Sequence, residues 1–288
     1  MDRVPAWSLA VMAMLSVQLG AAFSVSLFDD VGVGGTAWLR LTFGAIGFVL
    51  IARPRYWRWT WRELRAPILL GIVSGGMTLA FLAAIDRMPL GTVVAIEFLG
   101  PLTVAAISSH SVRALAWPVL AFVGVVLLTE PWQGELDVMG IAFAAAAAVG
   151  WGLYIVITQH VGDRFSGVDG LAISIPVAAL VAAFFGIPEA WGHITIEVLL
   201  VAAGVAILLP LIPWTFELYA LRRLNKAAFG TLMALEPAIA LTIGAVVLSQ
   251  VPAVPQLVGI VCVVLAGVAA ERTGHRPVEL PDLETPTA

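Results

Sequence analysis

A seven-residue stretch, Gly91-Thr92-Val93-Val94-Ala95-Ile96-Glu97, recurs later in the chain as Gly230-Thr231-Leu232-Met233-Ala234-Leu235-Glu236. Both copies follow the pattern G-T-x-x-A-(I/L)-E, and each ends on an acidic residue within an apolar run. A similar turn precedes each copy, at residues 84–88 and 220–224, and a proline follows each copy. Chance similarity of two Ala- and Gly-rich helices is the alternative to an internal repeat, and the shared acidic residue disfavours it.

The composition places these stretches in a membrane. Of the 288 residues, 60% are hydrophobic and 12% are charged, which is about half the charge content of a soluble domain. The net charge of −4 excludes a nucleic-acid-binding protein, which needs a basic surface, and the apolar content excludes a disordered chain. A single cysteine, Cys262, excludes a disulfide framework and a cysteine-based metal site.

The chain contains ten apolar runs. A bilayer core of about 30 Å requires about 20 helical residues, and the cost of unpaired amides in lipid makes each run a helix. The sequence therefore predicts an all-α integral membrane protein. Its ten spans are predicted at 7–27, 34–52, 67–85, 90–108, 114–129, 138–158, 169–187, 197–220, 227–248 and 254–270.

Basic residues predict the orientation of these spans. Thirteen of the fifteen Lys and Arg residues lie at alternate ends of the spans, the opposite loops contain only Arg87, and Arg40 lies within span two. Basic loops stay in the cytoplasm, so both termini are predicted to be cytoplasmic. The first span could instead be a cleaved signal peptide, but its removal would break the repeat.

The motif copies fall in spans four and nine, so the repeat unit is five helices. An odd number of spans inverts the second copy in the membrane, as in secondary transporters, whose substrate sites lie between the halves near the midplane. We predict a first five-helix half at 1–132, a second at 133–270 and a disordered acidic cytoplasmic tail at 271–288.

Glu97 and Glu236 end the two motif copies. At 1.5 Å per residue, Glu97 lies about 10 Å and Glu236 about 15 Å from the start of its span. Charged groups at such depth are costly and usually face a bundle interior or a wet cavity on a transport pathway. We predict that both bind substrate or protons. The alternative is a permanently protonated Glu bonded to a neighbouring carbonyl.

Arg40 lies in span two at a depth similar to that of Glu97, and both depths are measured from the same side of the membrane. Because its planar guanidinium suits carboxylates, we predict either an ion pair with Glu97 or a contact with a substrate carboxylate. The alternative is an Arg40 side chain that reaches the headgroups.

Prolines follow both motif copies. Pro101 cannot donate to the carbonyl of Glu97, and Pro237 cannot donate to that of Met233. With Gly100, these prolines predict broken helices whose free carbonyls contribute to a polar site. Ordinary proline kinks are the alternative.

Spans one and six carry further polar or aromatic side chains at comparable depths. Gln18 in span one, with Trp151 and Tyr154 in span six, is predicted to line the substrate site, although contacts that only join helices are equally compatible. Glu217, close in sequence to Arg222 and Arg223, is predicted to be a salt-bridged anchor at the membrane interface, and a coupling site is the alternative. The four histidines show no metal-ligand spacing, so no metal site is expected.

Several stretches resemble the EamA-like branch of the drug/metabolite transporter superfamily over roughly residues 10–270. These stretches are 16–21, 89–91, 95–102, 151–155, 220–224 and 229–238. The E-P-A sequence in span nine marks the superfamily, and the E-F-x-G-P sequence in span four favours its threonine and homoserine exporters. Leu248-Ser249-Gln250 departs from the Gly-Glu pair that relatives usually carry there.

The resemblance implies ten helices in two inverted halves and the export of small metabolites in exchange for protons. We therefore predict a secondary active exporter of amino acids such as threonine or homoserine in the bacterial inner membrane. Its predicted partners are the small-molecule substrate, protons and the lipid bilayer, with no cofactor. The alternatives are an exporter of another metabolite or a lipophilic drug and, remotely, an intramembrane enzyme, although no predicted span contains His or Asp.

Overall fold

The computed structural model describes residues 4–88, 90–109, 113–132, 137–239, 241–242 and 253–273. Regular structure in this part of the chain is helical, as the apolar runs predict. The α-helices are α1 (Ala6–Ala52), α2 (Trp61–Ile85), α3 (Leu90–Glu97), α4 (Leu99–Ile107), α5 (Ala116–Thr129), α6 (Val138–Arg164), α7 (Asp169–Ala190), α8 (Ile196–Ala206), α9 (Ile212–Leu221), α10 (Lys226–Met233) and α11 (Val254–Thr273).

Within the described residues, five helices are long and apolar enough to cross a membrane: Ser26–Ala52, Trp61–Ile85, Val138–Arg164, Asp169–Ala190 and Ile196–Leu221. Shorter apolar helices lie at Ala6–Gly20, Thr92–Ile107, Ala116–Thr129 and Val254–Ala270. These helices coincide with predicted spans. Residues 243–248 of predicted span nine, the departure at 248–250 and the tail from 274 onward lie outside the described residues.

Gly32 divides α1 into two arms, residues 6–31 and 33–52, which match the first two predicted spans. Its φ of 70° and ψ of 175° lie in a region that glycine adopts without steric cost. Glu189, near the end of α7, lies against this turn, and its Oε2 accepts a hydrogen bond of 3.2 Å from the Gly35 amide. One glycine therefore serves as the junction between two predicted spans.

Small residues allow the helices to pack closely. α1 packs along α7, and α2 packs against both α6 and α7. Gly71 and Gly75 of α2 lie directly against the backbone carbonyls of Ser174 and Ala178 in α7. Small residues of this kind let helix backbones approach each other in lipid. Large apolar side chains cover the outer surface instead, among them Leu50, Ile51, Ile107, Phe184 and Leu200.

Three of the predicted spans are interrupted near the candidate site. Phe98 separates α3 from α4 in span four. In span eight, the π-type segment Ile207–Leu211 separates α8 from α9, and Leu209 within it has non-helical dihedral angles. In span nine, α10 ends at Met233 and a turn follows before helical structure resumes.

Candidate functional site

The site begins where α4 crosses α10. Gly230, in the second motif copy, lies against the carbonyl of Pro101 in α4, and Gly100 lies against the carbonyl of Ala148 in α6. A methyl group on either glycine would overlap the facing carbonyl oxygen, so these close approaches require glycine. The crossing places the two spans that carry the motif in direct contact.

The helical hydrogen-bond pattern of both motif-bearing spans is interrupted beside their acidic residues, although Phe98 keeps helical dihedral angles and its amide donates to the carbonyl of Val94 at 3.0 Å. α3 ends at Glu97, and α4 begins two residues later. After α10, the amides of Ala234 and Leu235 donate to carbonyls three residues earlier, at 3.2 and 3.0 Å, which is a tighter turn than the α-helix makes. Pro101 and Pro237 each lie within about one turn of a break, as the sequence predicts.

Glu236 follows the turn in span nine and is half-buried. Nε2 of Gln18 donates a hydrogen bond of 3.2 Å to Oε1 of Glu236. On the same arm of α1, Oγ of Ser16 donates to the carbonyl of Leu208 at 2.7 Å, inside the π-type segment. The first arm of α1 therefore contacts the breaks in both span nine and span eight.

Glu97 is half-buried at the end of α3. Its carboxyl makes no hydrogen bond within the described part of the chain, but it lies within electrostatic range of Glu236. The ring of the next residue, Phe98, meets that of Trp151 in α6 edge to face, with centroids 4.8 Å apart. The fold thus brings Gln18, Trp151 and the two motif glutamates to one region of the bundle.

Tyr154 is buried and has an acidic partner. Its hydroxyl donates to Oε2 of Glu217 in α9 at 2.6 Å, and its ring centroid lies 5.9 Å from that of Trp214. Glu217 is 9% exposed and lies within electrostatic range of Glu236. A third carboxyl therefore adjoins the predicted pair.

The predicted salt bridge between Glu217 and Arg222 is wrong. Arg222 instead donates to the carbonyls of Gly162, Phe165 and Gly167 at 2.6 to 2.8 Å. Residues five apart on an α-helix point about 140° away from each other. Both side chains reach α6, but Glu217 contacts Tyr154 whereas Arg222 contacts Gly162, about two turns further along. An acidic residue inside a span is itself a functional signal, and it marks Glu217 in the sequence.

Arg40 lies in the second arm of α1 and is half-buried. Within the residues that the structure describes, its guanidinium makes no hydrogen bond or ion pair, and neither motif carboxyl lies within its electrostatic range. The ion pair with Glu97 is therefore not formed in this structure.

A cavity of about 420 Å³ lies between α4 and α6. Its lining is apolar apart from the hydroxyl of Thr103 and includes Gly100. Leu99, Val149 and Leu153 in this lining are exposed on the outer surface, so the cavity opens toward the lipid. Neither motif carboxyl lines it.

The site offers carboxyl and amide groups in the interior of an apolar bundle. Among the described residues, no group of three or more His, Cys, Asp or Glu side chains could hold a metal ion. Carboxyls can bind an ammonium group or a proton. Their position at breaks in crossing helices is typical of a membrane transporter.

Comparison with known proteins gives the family. Residues 138–269 match the profile of the EamA-like transporter family. The chain is 34% identical over 293 residues to "Threonine/homoserine exporter RhtA" of Escherichia coli strain K12, covering 98% of this chain and 97% of that one. A protein of the same name from Salmonella typhimurium strain LT2 is 33% identical over 296 residues, with the same coverage. The chain belongs to the EamA-like transporter family and is a multi-pass membrane protein.

Two weaker similarities agree with this assignment. An "Uncharacterized transporter" of Clostridium kluyveri is 24% identical over 159 residues, which cover 52% of this chain and 51% of that one. A solved crystal structure of another protein superposes with a TM-score of 0.72 over 93% of this chain and 98% of that one. At 19% identity, this last likeness shows the fold alone.

Proposed function

We propose that the protein exports threonine, homoserine or a similar small amino acid across the bacterial inner membrane in exchange for protons. The observation that carries this proposal is the pair of carboxyls, Glu97 and Glu236, within electrostatic range of each other at breaks in two crossing spans. The nearly full-length similarity to proteins named as threonine/homoserine exporters supports the cargo.

The proposal includes a topology of ten helices in two inverted halves, 1–132 and 133–270, with both termini and the 271–288 tail in the cytoplasm. The alternation of basic loops supports the orientation, and the repeated motif supports the inversion. Inverted halves form a substrate site near the midplane at their junction. The direct contact between α4 and α10 is compatible with such a junction.

The charges of the site complement those of an amino-acid zwitterion. Glu236, with Gln18 as its donor, and Glu97 supply negative charge for the ammonium group. Arg40, which has no ionic partner within the described residues, supplies two parallel donors for the carboxylate. Trp151 and Tyr154 bound the site from α6, and Gly100, Pro101 and Pro237, which lie beside the interruptions, shape it.

The same carboxyls provide proton coupling by alternating access. A proton that arrives from the periplasm neutralises Glu236, which weakens its attraction for the ammonium group and releases the amino acid outward. Loss of that proton to the cytoplasm restores the charge and allows a new amino acid to bind. Proton and substrate thus compete for one carboxyl, which is sufficient for antiport.

The lipid-facing cavity between α4 and α6 favours one second candidate function. Its apolar lining suits a lipophilic drug or another apolar metabolite better than a zwitterion. In that case the carboxyls would couple protons to a cargo that enters from the bilayer.

Counterflow in proteoliposomes tests these proposals. Labelled threonine, homoserine, a panel of other amino acids and a lipophilic dye are supplied with and without a pH gradient. We expect exchange of threonine or homoserine, stimulation of net transport by the gradient, and loss of that stimulation in Glu236→Gln. Glu197→Gln, an exposed position at the start of α8, is the matched control and should behave like the wild type.

A different result would contradict each part of the proposal. Absence of exchange for both amino acids in the wild type would overturn the cargo, and dye transport in its place would favour the second candidate. Transport that responds neither to the gradient nor to the Glu236 substitution would overturn the proton coupling.

A further inference from the structure

A third carboxyl, that of Glu217 in α9, has no part in the cycle above. It lies four residues before the end of α9, roughly 6 Å along the helix axis, and it is 9% exposed. Its Oε2 accepts the hydrogen bond of 2.6 Å from Tyr154. Burial of a carboxyl is costly unless it is hydrogen-bonded and paired with an opposite charge. The presence of the Glu217 carboxyl inside a span therefore indicates a function.

The charged and titratable groups that face Glu217 come from two neighbouring elements. α6 presents Tyr154, and the helical segment after α10 presents Glu236 within electrostatic range. The other elements packed against α9 are α1, Ile207–Leu211 and α10, which begins at Lys226. None of them presents a charged group to Glu217 within that range. Glu217 therefore has one hydrogen-bond donor, one neighbour of like charge and no cation to neutralise it.

Thr158 supplies an independent observation at the same place. It lies one helical turn beyond Tyr154 in α6, toward the end of α6 at Arg164, and it is fully buried. Its hydroxyl lies close to that of Tyr154 but forms no hydrogen bond of good geometry among the described residues. Buried polar groups are nearly always bonded, so this hydroxyl suits a bound water molecule on a path that leads away from Tyr154.

The three carboxyls form an ordered series. In the proposed topology, Glu97 lies nearest the periplasm, Glu236 near the middle and Glu217 nearest the cytoplasm. Their electrostatic contacts follow the same order, from Glu97 to Glu236 and from Glu236 to Glu217. Neighbouring carboxylates repel each other, and a proton shared between them relieves that repulsion.

We propose that Glu217, positioned by Tyr154, passes the coupling proton between Glu236 and the cytoplasm. This inference rests on the proposed function. The O–H bond of the Glu236 carboxylic acid breaks as the Glu217 carboxylate takes up the proton, so one negative charge moves from Glu217 to Glu236. Glu217 then gives the proton to cytoplasmic water and regains its charge.

Proteoliposomes that carry a pH-sensitive dye inside test this assignment on the intact protein. Threonine counterflow without a gradient and threonine transport driven by a gradient are compared for wild type, Glu217→Gln and Glu197→Gln. We expect Glu217→Gln to keep counterflow within about twofold and to reduce gradient-driven transport and proton flux by about 100-fold or more, the scale of a lost proton-transfer group. Glu197→Gln should match the wild type in both assays.

Tyr154→Phe is the second variant. It retains the ring packing against Trp214 and removes the hydroxyl donor. We expect the pH of half-maximal gradient-driven transport to shift, because the hydrogen bond to Glu217 is lost. This variant carries the test if Glu217→Gln does not fold, and an unchanged pH profile would contradict a positioning role for Tyr154.

The outcomes separate this inference from the proposed function. Wild-type protein that exchanges no amino acid overturns the proposed function, and the inference is rejected with it. Wild-type coupling with undiminished gradient-driven transport in Glu217→Gln overturns the inference alone. Loss of counterflow together with gradient-driven transport in a monodisperse Glu217→Gln protein would place Glu217 in the substrate site and also overturn it.

Discussion

Spans four and nine carry the same seven-residue motif, yet their glutamates have different neighbours. Glu236 in span nine accepts a hydrogen bond from Gln18 in span one. Glu97 in span four accepts none among the described residues, and beside it the ring of Phe98 packs on Trp151 in span six. The motif and its proline determine where a span breaks, whereas the helix that packs against the break determines the chemistry of the carboxyl.

Neutralisation of the two glutamates tests this difference most strongly. We expect Glu236→Gln to reduce gradient-driven transport by about 100-fold or more, the scale of a lost proton-transfer group. Glu97→Gln should cause a smaller loss, because only Glu236 has a donor that holds it in position. Initial rates in proteoliposomes under a fixed pH gradient measure both. Equal losses would indicate that the two carboxyls act equivalently despite their different neighbours.

The crossing of the two spans is the feature that they share, and its glycines should respond alike. Gly100→Ala and Gly230→Ala each place a methyl group against a backbone carbonyl. We expect each to destabilise the fold by about 1–3 kcal/mol, the usual range for overpacking. Thermal unfolding followed by size-exclusion chromatography in detergent measures the loss.

Gly76 and Gly204 provide the matched controls for this prediction. An added methyl group at either position meets no atom within 4 Å, so Gly76→Ala and Gly204→Ala should unfold at the wild-type temperature. A Gly100 or Gly230 variant as stable as these controls would show that the helices can move apart at the crossing without loss of stability.

The sequence predicts the helices and their breaks but not the contacts between helices. Apolar length and proline act locally, so the apolar spans and the break beside Pro101 follow from the chain itself. The hydrogen bonds from Gln18 to Glu236 and from Tyr154 to Glu217 join residues 218 and 63 positions apart. They depend on which helix faces meet, and in lipid apolar patterning does not specify those faces.

Removal of the hydrogen-bond donor to Glu236 tests whether the neighbouring helix determines the chemistry of this carboxyl. Gln18→Leu keeps a similar volume and removes the hydrogen bond of 3.2 Å. A hydrogen bond to a charged group contributes about 1.5 kcal/mol or more, so we expect gradient-driven transport to fall about tenfold with little change in unfolding temperature. The pH profile of transport should shift as well, and an unchanged rate and profile would deny Gln18 any part in the site.

The aromatic neighbour of span four should contribute least. Trp151→Phe keeps an aromatic ring facing Phe98 but shrinks the edge-to-face contact, whose centroids lie 4.8 Å apart. Because such pairs contribute about 0.5–1.5 kcal/mol beyond burial, and a smaller ring retains part of that, we expect a loss of transport of about two- to threefold. A loss as large as that of Gln18→Leu, in a variant with wild-type unfolding temperature, would mean that the indole contacts the cargo itself. In that case the aromatic side of the site, and not its amide side, would discriminate between substrates.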